Sequence, residues 1–300
     1  MNIEKFTAHV KDVGGIPVNR LLPQRSRRTV GAWCFLDHIG PAEFGPDDAG
    51  MQVGAHPHIN LQTFTWMLDG HQWHRDSLGN RQMVSPKQVS LMTAGTGDNR
   101  GISHTEQSVE GEKSMHAVQF WIALPLNKEI EPGFNHYEEL PQWSKDGVDY
   151  IVTTGTFDGH TAPTKQHSPL VGVDMTFNDA KTIEVPLEAG WEYGIFVIKG
   201  QVNGNDEQVT PEELLVFSET QAGDVIRIEA EAGSHIILIG GEPLPHKTIF
   251  WWNFISDNPE SLRKGVADWN NKHPRFGDID LTGTPLTRLV SPEAPETLRS

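Results

Sequence analysis

Cysteine is almost absent: the chain has 300 residues and one cysteine, Cys34. A disulfide framework is therefore excluded within one chain. The thiol sits in the apolar run WCFLDH, a setting for a buried structural cysteine rather than a reactive one. No stretch of about 18 apolar residues exists, so a membrane-spanning helix is not expected. The N-terminal residues show no signal-sequence pattern, and with the lone thiol this leads to the expectation of a reducing cytoplasm. Basic residues are also scarce, 24 against 40 acidic ones for a net charge of −16. Such a field repels polyanions, which argues against a nucleic-acid groove or an anionic membrane surface. Long helical periodicity is rare, and no glycine-rich phosphate loop precedes a helix, which removes support for nucleotide binding.

What remains is a chain that is 37% hydrophobic, enough for one large or two ordinary domains. Its apolar residues fall in short strand-like runs bounded by Gly, Pro, Asn and Asp, the profile of an all-β protein. The clearest runs are 63–68, 89–92 and 117–124, then 170–177, 183–185, 193–198, 214–217, 224–228 and 235–239. Between these clusters, residues 125–169 pass through PGFNHYEELPQW and FDGHTAPTKQHSP and read as a connector. TFTWMLDG and EYGIFVIKG are both apolar strands ending at a glycine turn, and HAVQFWIALP has a counterpart in HIILIGGEP. Two copies of one β domain are therefore expected, an N-terminal one over 1–135 and a C-terminal one over 136–300. One helix is signposted by Asn258 as N-cap and Pro259 at its first position, with Leu262, Val266 and Trp269 on one face. IFWWNFI just before it reads as an interior strand or interdomain seam, and the Pro-rich tail after His273 as a surface wrap.

Histidine is plentiful, 14 in all, so a His-x-His pair such as His56 and His58 in GAHPHINLQT arises about 0.7 times by chance. Geometry gives the pair more weight. Strand side chains alternate, so both imidazoles project to one side, and Pro57 holds His56 extended. GISHTEQ offers His104 and Glu106 at the same spacing. Two such strands side by side would form a cage of three imidazoles and one carboxylate. The set lacks thiolate for a structural zinc site and has too little oxygen for calcium or magnesium. It suits one mononuclear Fe(II), Mn, Co, Ni, Cu or Zn, with positions left open on iron. His71 and His74 in GHQWHRDS read as solvated turn histidines, with a role orienting metal ligands as the other possibility. His116 reads as an inner histidine with a partner, Asp76 and Ser77 as turn formers, and Phe64, Trp66 and Met92 as strand core more than pocket wall. Residues 168–234 contain no histidine, so the second half cannot repeat the cage.

Several longer motifs share an order with a known family. AWCFLDHIGPAEF, VGAHPHINLQTFTWMLDG, HRDSLGN, VSLMTAG, GISHTE and HAVQFWIALP, followed by HSPLVGVDMTF, EYGIFVIKG and IGGEPL, resemble the pirin family of the cupin superfamily over nearly the whole chain. The resemblance implies two tandem cupin barrels, of the double-stranded β-helix or jelly-roll kind, with a short C-terminal helix. It also implies iron, most simply Fe(II), held by the residues matching His56, His58, His104 and Glu106. The implied activity is opening of a flavonol ring by dioxygen, a quercetin 2,3-dioxygenase reaction in which Glu106 takes the substrate proton. Some pirins act as regulatory cofactors, so the rival expectation is a non-catalytic, metal-dependent protein that binds a protein partner; another cupin reaction on a small polar substrate is a further alternative. Two departures stand out: Gln62 occupies a place where many cupins have glutamate, and Asp98–Arg100 lengthen a loop near the pocket mouth.

Overall fold

The computed structural model describes residues 1–298. Strands dominate it, and the one α-helix among the described residues spans Pro259–Asn270. The chain forms two compact units whose ends are exchanged. One comprises Met1–Val10, Asn19–Asp37 and Tyr137–Leu244; the other comprises Lys11–Val18, His38–His136 and Pro245–Ser300. The contiguous division at residue 135 expected from sequence is therefore modified at both termini. Asn2–Thr7 pairs along its whole length with Glu213–Ser218, so the first strand completes a sheet whose other members lie more than a hundred residues later. Short-range pattern cannot reveal such a partner, because edge pairing is made by backbone groups and leaves little trace in composition.

In the histidine-bearing unit, four antiparallel strands form a sheet in the order Gln52–His58, Ile102–Ser108, Gln72–Asp76, Arg81–Val84. A second sheet includes Val89–Thr93, Leu61–Asp69, Ser114–Ala123 and Trp33–Glu43 as neighbours in that order. The core beneath the first sheet contains Met51, Val53, Met67, Met115 and Ala117, all buried. The other unit repeats the plan. Its small sheet runs Lys181–Pro186, Val225–Ala230, Val202–Gly204, Glu207–Val209, and its large one places Glu213–Ser218, Glu192–Lys199, His235–Gly241 and Leu170–Phe177 side by side. The same order in both units is the structural counterpart of the sequence duplication, and two facing sheets of this kind make a jelly-roll barrel.

Two regions differ from their sequence reading. Residues 125–169 are more than a connector: Gln142–Lys145 and Val148–Thr154 extend the large sheet of the second unit, with Val148, Tyr150 and Val152 buried. The alternation in VDYIVTT was masked by the Pro- and Gly-rich segments around it. IFWWNFI folds as a hairpin of Ile249–Trp251 and Phe254–Ser256, turning at Trp252 with φ of 50°. The helix follows as expected: the Asn258 side chain accepts from the Glu260 amide at 2.9 Å, and Leu262, Val266 and Trp269 are buried against Ile59, Phe254 and Phe276. No described helix is long and apolar enough to cross a membrane.

Candidate metal centre

The site is built on one face of the four-stranded sheet. His104 lies between His56 on one neighbouring strand and Asp76 on the other, while Glu106 lies between Val53 and His74. Because residues two apart share a face, His56, His58, His104, Glu106, His74 and Asp76 all stand on the same side. Between His104 and Glu106 the register slips, so two residues on that strand span three on its partner. This is a β-bulge at Gly54 and Ala55. It leaves the Gly54 carbonyl 2.9 Å from His56 Nδ1. A Cβ on Gly54 would stand 2.2 Å from the Thr287 carbonyl oxygen, so glycine is required by the close approach of the C-terminal tail. The tail is more than a surface wrap: the Ala55 amide donates to Thr287 at 2.9 Å, and the Leu289 amide donates back to Ala55 at 2.9 Å.

His56, His58 and His104 bring one ring nitrogen each within 4.8 Å of one another, and all three are buried. Hydrogen bonding determines which nitrogen. A carbonyl only accepts, so His56 Nδ1 carries a proton toward Gly54, and His58 Nδ1 carries one toward Asn253 O at 3.0 Å. Both present a bare Nε2. His104 is reached through a relay. Asp76 Oδ2 lies 3.1 Å from His74 Nε2 and accepts its proton, which leaves His74 Nδ1 as the acceptor for His104 Nδ1 at 3.4 Å. His104 Nε2 is then also bare, 3.1 Å from His58 Nε2. Two nitrogens about 2.1 Å from a common ion and near a right angle are about 3 Å apart, so this donor pair fits a transition metal.

Electrostatics favour the same occupant. Burial lowers the pKa of His56 from 6.5 to about 4, with proximity to His74 adding to the effect. Burial and the neighbouring imidazoles push His58 and His104 well below the ordinary histidine value. All three are neutral at neutral pH, so no protons need leave before a cation could bind. Burial alone would raise Asp76, but its hydrogen bonds from His74 and Asn80 prevail and hold it below the usual carboxylate range. The relay therefore ends on a fixed anion. Glu106, 9% exposed, shares the face one row away beside His74, outside the close group of three imidazoles.

Comparison with known proteins agrees with this architecture. The sequence profile of the family Pirin matches residues 15–122, and that of the Pirin C-terminal cupin domain matches residues 172–277. A Pseudomonas aeruginosa protein, named provisionally as a quercetin 2,3-dioxygenase, is 41% identical over 295 residues, which is 98% of this chain and 91% of that one. The chain belongs to the pirin family. An Acinetobacter baumannii structure described as quercetin 2,3-dioxygenase superposes with a TM-score of 0.91 at 42% identity, covering 99% of this chain and 97% of the other. A bacterial pirin of Escherichia coli, solved with nickel(II), shares the fold at a TM-score of 0.63 and 21% identity, over 81% and 100% of the two chains.

Within this pirin fold several residues depart from their sequence reading. His74 is 4% exposed on the strand Gln72–Asp76 and stacks on Phe134 at 4.4 Å with an 11° interplanar angle; it is no solvated turn histidine. The alternation Gln72, His74, Asp76 is the available signal, hidden because the buried face of this strand is polar and its outer face carries Trp73, the reverse of the usual apolar-inward pattern. Asp76 does cap the turn, accepting from the Leu78 amide at 2.9 Å, but its second oxygen serves His74. His71 is the more exposed of the two and faces Glu112 at 2.8 Å. Ser77 accepts from the Ser103 amide at 3.2 Å, a structural role. His116 is paired with His38, with Nε2 atoms 2.6 Å apart.

Register also sorts the aromatic candidates. Trp121 pairs with Thr63, and Thr63 with Met92, so these three share a face, and Trp121 packs edge-on against His58 at 5.1 Å. Met92 therefore looks toward the histidines, whereas Phe64 and Trp66 lie on the alternate face, buried as core. Trp121 and Phe134 carry no local sequence signal for a place beside the histidines, because strand register and tertiary packing bring them there. Gln62 is fully buried and donates to Thr93 at 3.0 Å. The Asp98–Arg100 loop is held in place: Arg275 Nη1 donates to the Asp98 carbonyl at 2.6 Å, Ser261 to its carboxylate at 3.1 Å, and Arg100 pairs with Glu131.

Proposed function

We propose that this protein is a mononuclear metal dioxygenase, most simply an Fe(II) enzyme, that opens the ring of a flavonol in a quercetin 2,3-dioxygenase reaction. The observation carrying the proposal is the set of three buried, neutral imidazoles whose bare Nε2 atoms converge. Similarity across 99% of the chain to the Acinetobacter baumannii protein described as quercetin 2,3-dioxygenase supports the substrate class. His56, His58 and His104 hold the ion, with Glu106 as fourth ligand or base. The ion would supply a positive charge that lowers the pKa of the flavonol 3-hydroxyl and open positions for substrate and dioxygen. Glu106 takes the hydroxyl proton, a role its place on the histidine face allows. Trp121 and Phe134 provide flat aromatic faces, and Met92 an adaptable apolar one, for a planar ring system. The buried Cys34, which forms no disulfide, suits a cytoplasmic setting. The net charge of −16 disfavours direct nucleic-acid contact.

The test pairs metal analysis with oxygen uptake over a panel of flavonols, using protein loaded in turn with Fe(II), Ni(II) and Zn(II). Loss of the flavonol absorbance band in step with oxygen consumption is the expected result, because ring opening breaks the conjugation. Fully metallated protein that leaves quercetin unchanged in air across neutral pH would sink the enzyme reading and leave the partner-binding role as the one to pursue.

A further inference from the structure

The second unit keeps the layout of the metal-bearing sheet while replacing its chemistry. Lys181–Pro186 and Val225–Ala230 stand in the sheet positions of Gln52–His58 and Ile102–Ser108. Where the first pair sets His56 against His104, the second sets Ile183 against Ile228 and Val185 against Ile226. Ligand nitrogens are thus exchanged for aliphatic carbon. The space beside them is not filled. A cavity of about 510 Å³ opens within this unit, with Ile183, Val185, Leu170, Val171 and Leu238 on its walls. That volume lies in the range of small-molecule sites, roughly 300–1,000 Å³.

Aromatic pairs flank the cavity. Tyr150 and Phe157 stack with ring centroids 5.9 Å apart at 29°, and Trp191 and Tyr193 lie 6.0 Å apart at 28°. Phe157 is presented by the small hairpin of Thr156–Phe157 and His160–Thr161, turned at Asp158 and Gly159 with φ of 45° and 78°. The Tyr193 hydroxyl is engaged, accepting from the Glu188 amide at 2.9 Å. The Tyr150 hydroxyl forms no hydrogen bond to another described residue, although its ring is buried and lines the cavity. Burial and nearby Asp158 and Asp146 raise its pKa, so at neutral pH it remains a phenol able to donate. Asp158, Glu184 and Glu188 line the site against one ammonium, Lys145, which is bonded to Asp158 at 2.8 Å.

We propose that the second barrel is a metal-independent binding site for a neutral, planar, hydroxylated aromatic molecule. Stacking faces and aliphatic walls select a flat apolar body. Tyr150 and the carboxylates select hydroxyl groups on it. The excess of carboxylates rejects anions, since an anionic ligand would be desolvated among like charges. The proposal stands apart from the histidine site and does not depend on catalysis there.

Calorimetric titration of the full-length protein with 2-naphthol, and with 2-naphthoate as its anionic counterpart, tests it. One-site binding of 2-naphthol is expected, unchanged after metal is stripped with EDTA, with 2-naphthoate binding much more weakly. Thr156→Trp, at an exposed position on the lip, should block the cavity and abolish binding. Tyr150→Phe keeps the stack and removes one hydrogen bond, for a loss of roughly 3- to 10-fold in affinity. The assignment is overturned by absence of binding up to the solubility limit of 2-naphthol, by affinity that disappears with EDTA, by equal affinity for 2-naphthoate, or by binding indifferent to both substitutions.

Discussion

The proton on each imidazole decides whether three neighbouring histidines make a ligand set, and in this site each proton has an identifiable acceptor. Asp76 is the residue where that dependence is sharpest. In Asp76→Asn the amide donates toward His74 Nε2, His74 then carries its proton on Nδ1, and His104 must move its own proton to Nε2, the ligand position. Metal affinity should fall by roughly 10- to 100-fold while the turn bonds on Oδ1 keep the fold, as measured by competition with a chelator and by an unchanged Tm. A second prediction concerns Glu106. In Glu106→Gln an oxygen is retained and basicity lost, so turnover should drop by roughly 10²- to 10⁴-fold with KM changed much less. Metal occupancy measured on the same samples separates loss of the base from loss of the ion; an occupied variant with normal turnover would remove Glu106 from the chemistry.

Elements far apart in sequence support those residues. The strand bearing His56 and His58 is bulged at Gly54 and Ala55, backed by Thr287–Leu289 of the tail, and held at His58 by the hairpin turn at Asn253. Gly54→Ala would drive a methyl into the Thr287 carbonyl, 2.2 Å from the new Cβ. Displacement of the tail is the expected outcome, read as new protease cleavage within residues 284–298, a lowered Tm, and weaker metal binding through the loosened His56 carbonyl contact. A variant that kept the tail protected and its metal affinity intact would show that the bulge is not a support of the site. None of these three supports was evident from local pattern: the tail reads as Pro-rich coil and IFWWNFI as core, because a main-chain carbonyl aimed at a ring nitrogen carries no side-chain signature.

At the scale of the whole molecule, one metal per chain is expected, because the second unit has Ile183, Val185, Ile226 and Ile228 on the strands equivalent to those bearing the ligands. His56→Ala combined with His104→Ala should reduce elemental stoichiometry from about one to zero without loss of the β-sheet circular-dichroism signal, since two of the three clustered imidazoles are then gone. Metal-free protein should also be acid-sensitive in a defined window. His56 titrates near 6.5 when unfolded and at about 4 when folded, with His58 and His104 displaced in the same direction. Between these values the unfolded chain binds protons that the folded one refuses, so stability rises with pH there, is complete above 6.5, and declines as pH falls toward 4. Urea unfolding of EDTA-treated protein at stepped pH checks this, and the double alanine variant should show a shallower decline.

Sequence by itself determined the all-β class, the duplicated plan, the capped helix, the strongly acidic charge balance and the candidacy of His56, His58, His104 and Glu106, because composition, strand alternation and i, i+2 spacing are local properties that survive without a partner. Tertiary structure alone decided which histidines converge, that His74 and Asp76 stand behind His104, that Met92 and Trp121 rather than Phe64 and Trp66 face the site, and that the chain ends are exchanged between units. Each of those depends on register between strands distant in sequence, and a shift of one residue would turn every side chain to the opposite face.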